Sequence, residues 1–122
     1  MTEEKQVSVI VGQVRRLLQK KRTANALLVL NAHLVREPDD RDAQELLGVC
    51  HFMSKQYEEA LSAFQDLTRM DPNYAPGWVN LGAVQNLLED HQGAAKTLGK
   101  ALKKDKKNAS AHYNLGIAQK AL

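Results

Sequence analysis

The 122-residue sequence predicts an all-α fold, an α-solenoid of antiparallel helix pairs, on three observations. Leu47-Gly48 returns as Leu81-Gly82 and again as Leu115-Gly116, with the same step between each pair and the next. Other columns move with it: Ala60 with Ala94, Phe64 with Leu98, and Gln44 with Trp78 and His112. A fixed period of this kind marks a supersecondary unit that buries its apolar face by stacking on its neighbours. The composition agrees: 43% of residues are hydrophobic but only 5% aromatic, so the core must be built from Leu, Val and Ala, a set that suits helix packing. No segment alternates apolar and polar residues over a useful strand length.

The period divides the chain into an N-terminal extension (1–6), a divergent first repeat (7–40), two fuller repeats (41–74 and 75–108) and a partial fourth repeat or capping helix (109–122). Seven helices are expected, at about 7–20, 23–37, 41–54, 57–70, 75–88, 91–104 and 109–121, from apolar periodicity and stop signals. The first repeat keeps its second half, since Ala26, Leu30 and Pro38 lie one period before Ala60, Phe64 and Pro72. Its first half shows Gln13-Val14 in place of Leu-Gly, which predicts an unusual packing angle for the first helix. In the next two repeats Gly48 and Gly82 remove a side chain where Ala60 and Ala94 keep one minimal, so paired helices can approach closely. Leu47, Leu81, Phe64 and Leu98 then fill the space beside those contacts. On the fourth helix Leu61, Phe64 and Thr68 share one side, with Glu58, Glu59, Gln65 and Arg69 elsewhere.

Pro38 and Pro72 stop helices, Asp40 and Asn108 are suited to N-caps, and Pro76 fits a first helical turn. Lys106 replaces the third proline, which predicts that the sixth helix frays or runs on. After the seventh helix, Leu115, Ala118 and Leu122 form an apolar stripe with no following helix in the sequence. That predicts a polypeptide continuing past Leu122, with an imperfect cap, or a partner or a second copy covering the stripe, as the alternatives.

Chemistry is sparse. His33, His51, His91 and His112 lack metal-ligand spacing, and read as surface or groove residues. Cys50 stands in a small apolar column and reads as a buried, inert thiol; one cysteine forms no internal disulfide and suits a reducing compartment. No Gly-x-Gly phosphate loop occurs, and Glu58-Glu59 and Glu89-Asp90 read as helix-start charges. No catalytic, cofactor-binding or metal-binding residue is therefore expected, and no enzyme activity. The polar, acidic start is unlike a secretory leader, and the longest strongly apolar run, Ala26 to Leu30, is too short to span a bilayer, so the expected setting is cytoplasmic with no membrane insertion. Lys100, Lys103, Lys104, Lys106 and Lys107, like Arg15-Arg16 with Lys20-Lys21-Arg22, have no aromatic interleaved for base stacking, and a net charge of +3 is mild, so nucleic acid is not the expected partner.

The residues Trp78, Leu81, Gly82, Ala94 and Ala101 in one repeat, and Leu47, Gly48, Ala60, Phe64 and Pro72 in another, resemble the tetratricopeptide repeat family, which has the same period. That resemblance covers nearly the whole chain after about residue 7. It implies a right-handed solenoid whose concave face, lined by the first helix of each repeat, acts as a protein-binding scaffold. Carried over by column, the groove residues are Val11 and Arg15; Glu45, Val49 and Phe52; Val79, Asn80, Ala83 and Asn86; and Tyr113, Asn114 and Ile117. Asn80 and Asn114 are expected to hydrogen-bond a peptide backbone, or else to tie neighbouring helices together.

Family members that clamp a chaperone's C-terminal carboxylate use Lys, Asn, Asn, Lys and Arg. The matching positions here are Val11, Arg15, Leu46, Pro76 and Asn80 in one register, and Glu45, Val49, Asn80, Ser110 and Asn114 in the next, so no such tail is expected to bind. The leading function is a scaffold gripping a peptide segment of a protein partner. The alternatives are self-association through Tyr113–Leu122, and a docking domain of a larger enzyme such as a glycosyltransferase.

Overall fold

The computed structural model describes the backbone of residues 3–122 and side chains from Val9 onward. Among the described residues there are seven α-helices and no strand: α1 (Glu3–Gln19), α2 (Thr23–Arg36), α3 (Arg41–Met53), α4 (Tyr57–Met70), α5 (Ala75–Leu87), α6 (His91–Lys104) and α7 (Ala109–Ala121). From α4 onward each helix starts and stops one full period after its counterpart in the preceding repeat, so the spacing read in the sequence is the spacing of the backbone. Only α1 departs, beginning at Glu3 rather than near residue 7; of the expected N-terminal extension, Met1 and Thr2 lie outside the described residues.

Each helix pair is joined by the same device. Lys21, Lys55 and Glu89 sit at φ 59°, 60° and 65°, in the left-handed region that reverses the chain after α1, α3 and α5. The next amide in each case reaches back to a helical carbonyl: Arg22 N–H to Leu17 O, Gln56 N–H to His51 O, and Asp90 N–H to Gln85 O, at 2.8–2.9 Å. This is a Schellman ending built without glycine. Asp90 then caps α6 by accepting from the Gly93 amide at 3.0 Å.

The connections from a second helix to the next first helix are equally regular. Asp40 caps α3 through the Ala43 amide, and Asn108 caps α7 through the Ala111 amide, as the sequence predicts. The absent third proline changes nothing: α6 ends at Lys104, in register with Met70 of α4, and does not run on. Trp78 Nε1–H donates to Pro72 O at 2.8 Å, and in the next repeat His112 Nε2–H donates to Lys106 O at 2.9 Å. In these two repeats the side chain at this column holds the corner, once with proline in it and once without.

The chain forms two compact units, residues 1–63 and 64–122, with α4 continuous across the boundary. In the first, Val11, Val14, Leu18, Ala26, Leu30, Ala43, Leu46 and Cys50 make the core. Val14, standing in the glycine column, is fully buried there. Gln44 replaces the tryptophan of its column and donates instead to Ala63 O at 2.9 Å, tying α3 to α4. In the second, Val79, Ala94, Leu98, Ala101, Ala111 and Ala118 form the core, with Trp78 and Leu115 packed against it. A Cβ on Gly82 would lie 2.5 Å from Leu98 Cγ, so the glycine is what lets α5 and α6 close on each other.

Candidate functional site

The first-helix residues expected to line a partner-binding face divide into three kinds. Val11 and Val79 are each 6% exposed and belong to the cores of their units. They are corrected from ligand-facing to core residues, because each packs into the apolar cluster of its own unit, unlike Glu45 and Tyr113 of the same column. Arg15 is exposed; Glu45 and Val49 are half-buried; Phe52 is exposed with its ring edge-on to Tyr57, centroids 5.8 Å apart. In the second unit Asn80, Ala83 and Asn114 are half-buried, while Tyr113 (71% exposed) and Ile117 stand open one turn apart on α7.

Asn86 is the clearest correction. It is 8% exposed, and its amide is engaged at both ends: Nδ2–H donates to Asn114 O at 2.9 Å, and Oδ1 accepts from His91 Nδ1–H at 2.9 Å. One side chain thus joins α5, the start of α6 and the backbone of α7. Asn86 ties helices together, a role the sequence did not assign to it, whereas the Asn114 amide turns back on its own helix to Ser110 O at 2.9 Å.

The histidines are corner pieces. His33, read from the sequence as a surface or groove residue, is buried and donates through Nε2–H to Asp40 Oδ2 at 2.7 Å, while Asp40 Oδ1 caps α3. His51 donates from Nδ1–H to Gln56 Oε1 at 2.9 Å. With His91 and His112 bonded as described, every imidazole has a structural partner. Cys50 donates its S–H to Thr23 O at 3.2 Å, linking α3 to the start of α2, and burial pushes its thiol pKa above the ordinary 9.0.

The column reading misses Met53 and Leu87, exposed apolar residues that end α3 and α5 in matching positions. Their position on a first helix is a usable signal, since Phe52 and Asn86 are their immediate neighbours. Space also brings together what the sequence separates: Lys100 Nζ lies 5.0 Å above the Trp78 ring, so the lysine cluster of α6 does include an aromatic.

The geometry is that of a helical repeat whose histidines and capping residues hold corners, and whose outward apolar residues include Leu28 and Val35 on α2 besides Phe52, Met53, Leu87, Tyr113 and Ile117. Residues 11–75 match the family model described as Tetratricopeptide repeat, and residues 86–122 match one described as TPR repeat. The chain belongs to the tetratricopeptide repeat family. Solved structures agree on the fold. The TPR domain of Sgt2 from Aspergillus fumigatus superposes with a TM-score of 0.89 at 18% identity, over 98% of this chain and 79% of that one. The first TPR of Spaghetti (RPAP3), bound to the HSP90 peptide SRMEEVD, gives 0.91 at 15% identity over 98% and 95%. The O-GlcNAc transferase of Thermobaculum terrenum gives 0.85 at 21% identity over 97% of this chain but 23% of that one. A comparison with curated proteins gives no match. The fold is therefore all-α and of the helical-solenoid class that these domains represent.

Proposed function

We propose that this chain is a protein-interaction scaffold with no active site of its own, which holds a peptide segment of a partner against its first-helix residues. The observation that carries the proposal is on α7, where Tyr113 and Ile117 stay open to solvent one helical turn apart. An aromatic and a branched aliphatic group exposed together, without a fold role, make an anchoring patch for an apolar side chain. Phe52 with Tyr57 offers a smaller patch of the same kind in the first unit. The preferred ligand is an extended or helical segment with apolar residues and few charges, since neither patch carries a cluster of one sign. A cytoplasmic setting is part of the proposal, consistent with a single unpaired and buried thiol.

The test is affinity capture with mass spectrometry, comparing the intact chain with a Tyr113→Ala, Ile117→Ala double variant. Both side chains are exposed, so the variant should keep its helical circular dichroism. Loss of the same bound protein in the variant supports the proposal; identical prey from both would sink it.

A second reading, self-association through Tyr113–Leu122, is favoured by one contrast. The space above Gly82 is filled by Leu98, whereas nothing lies within 4 Å of a Cβ placed on Gly116. A concentration-independent mass by light scattering would remove this reading and leave the first untouched.

A further inference from the structure

The turns at 37–40, 71–74 and 105–108 are the same structure three times over. Asp40 N–H bonds to Glu37 O at 3.3 Å, Tyr74 N–H to Asp71 O at 3.1 Å, and Asn108 N–H to Asp105 O at 3.3 Å. Their middle residues are Pro38-Asp39, Pro72-Asn73 and Lys106-Lys107. One backbone shape thus accepts an acidic, a neutral and a doubly basic sequence, so the fold does not dictate the charge at this place.

The charge nonetheless segregates strongly. Residues 37–45, around the first turn, hold five carboxylates and one cation. Residues 100–107, leading into the third, hold five lysines and one carboxylate. At the basic corner Lys103 and Lys104 lie in the last turn of α6, where its dipole accounts for them, but Lys106 and Lys107 lie past the helix end and are exposed. The one acid there, Asp105, accepts from Asn108 Nδ2–H at 3.3 Å. At the acidic corner Asp40 is occupied by His33 and the Ala43 amide, Asp39 is exposed, and the Asp42 carboxylate is 49% exposed with Arg41 Nε 3.7 Å away.

We propose that the two corners are complementary halves of one contact, and that a second copy of this chain is the partner: the lysines of the α6–α7 turn of one copy dock on Asp39 and Asp42 beside the α2–α3 turn of another. The complementarity is between surfaces that the same chain carries, on turns of the same backbone shape and opposite sign. Thirteen of the 14 carboxylates but only eleven of the 17 cations lie outside residues 96–107, so the remainder of each copy carries a slight net negative charge. Every cation in that stretch is lysine, a flexible point charge suited to diffuse, salt-sensitive contact rather than bidentate recognition. The end of α1 and the α1–α2 turn carry a second exposed basic stretch, Arg15-Arg16 with Lys20-Lys21-Arg22, which neither charge reversal below alters. The loss on reversing Lys103, Lys104, Lys106 and Lys107 therefore reports the α6–α7 corner. Association through the two corners either closes reciprocally or runs head to tail. This contact is independent of the peptide-binding patch on α7.

Sedimentation velocity of the full chain tests it at about 0.01 M and about 1 M salt, where charges reach ~30 Å and ~3 Å. The average mass should rise with concentration at low salt and return to the monomer at high salt. Two charge reversals, Lys103→Glu with Lys104→Glu, Lys106→Glu and Lys107→Glu, and separately Asp39→Lys with Asp42→Lys, should each weaken association by about tenfold or more, from several exposed pairs of modest strength lost together. Mixing the two variants should restore a heteromeric complex, because each carries what the other lacks. Helical circular dichroism checks that both fold. A wild-type monomer at every concentration in low salt overturns the proposal. So does association that survives both reversals but fails in Tyr113→Ala, Ile117→Ala, and so does a low-salt monomer that binds polyglutamate or duplex DNA instead.

Discussion

Leu98 Cγ lies 2.5 Å from where a Cβ on Gly82 would stand, and Leu98 is itself fully buried, so it has nowhere to retreat. Gly82→Ala should therefore destabilise the chain by about 1–3 kcal/mol, the usual cost of overpacking a tight core. Gly116→Ala, in the same column, should do the reverse. Its Cβ meets nothing, and an exposed helical Gly→Ala change gains about 0.5–1 kcal/mol. Urea denaturation of the two variants reads both signs, and equal effects would contradict the packing account. Cys50 makes a second residue-scale prediction. Burial raises its pKa in the folded chain, so above pH 9.0 the unfolded thiol ionises while the folded one keeps its proton. The unfolded state then binds fewer protons, and the Cys50 contribution to stability is full below pH 9.0 and is lost as pH rises through the raised folded value. Iodoacetamide should label Cys50 slowly in the native chain and quickly in denaturant; a denaturation midpoint in Cys50→Ser that falls as steeply above pH 9.0 as in the wild type would exclude the linkage.

At the scale of the helices, the three left-handed residues make the sharpest prediction. Lys21, Lys55 and Glu89 hold a conformation that costs an L-residue roughly 1–2 kcal/mol and costs glycine nothing. Glu89→Gly relieves that strain but frees the unfolded chain, at about 0.5–1 kcal/mol. The net expectation is a gain of up to about 1 kcal/mol, read as a higher denaturation midpoint. A large loss would mean that the Glu89 side chain does something the turn geometry does not reveal. The turn itself is invisible in the sequence, because the usual glycine signal is missing at all three places. By contrast the caps at Asp40 and Asn108 are legible, since a short polar acceptor just ahead of an apolar period has one common use.

Across the whole molecule, family membership raises the question of a chaperone-tail ligand, and the expected answer is negative. The RPAP3 domain with a similar fold is bound to a peptide ending in Glu-Val-Asp. Here the positions that would clamp such a carboxylate hold Val11, Arg15, Leu46, Pro76 and Asn80, or one repeat on, Glu45, Val49, Asn80, Ser110 and Asn114. Val11 and Leu46 are moreover buried in the first unit's core. A peptide ending in Glu-Glu-Val-Asp should show no saturable binding by fluorescence anisotropy. Micromolar binding that a terminal amide abolishes would refute this.

What the sequence determined by itself was the ladder of helices. One fixed period in small and branched residues specifies where helices start, stop and approach, because those events depend on side-chain size and local capping, both written in the residues themselves. What only the tertiary structure decided was which polar and apolar groups remain available. Val79 is covered and Tyr113 is open in the same column, Asn86 is held by α6 and α7, and His33 is buried against Asp40. Availability depends on what lies opposite a residue in space, and a column of residue types carries no record of its neighbours.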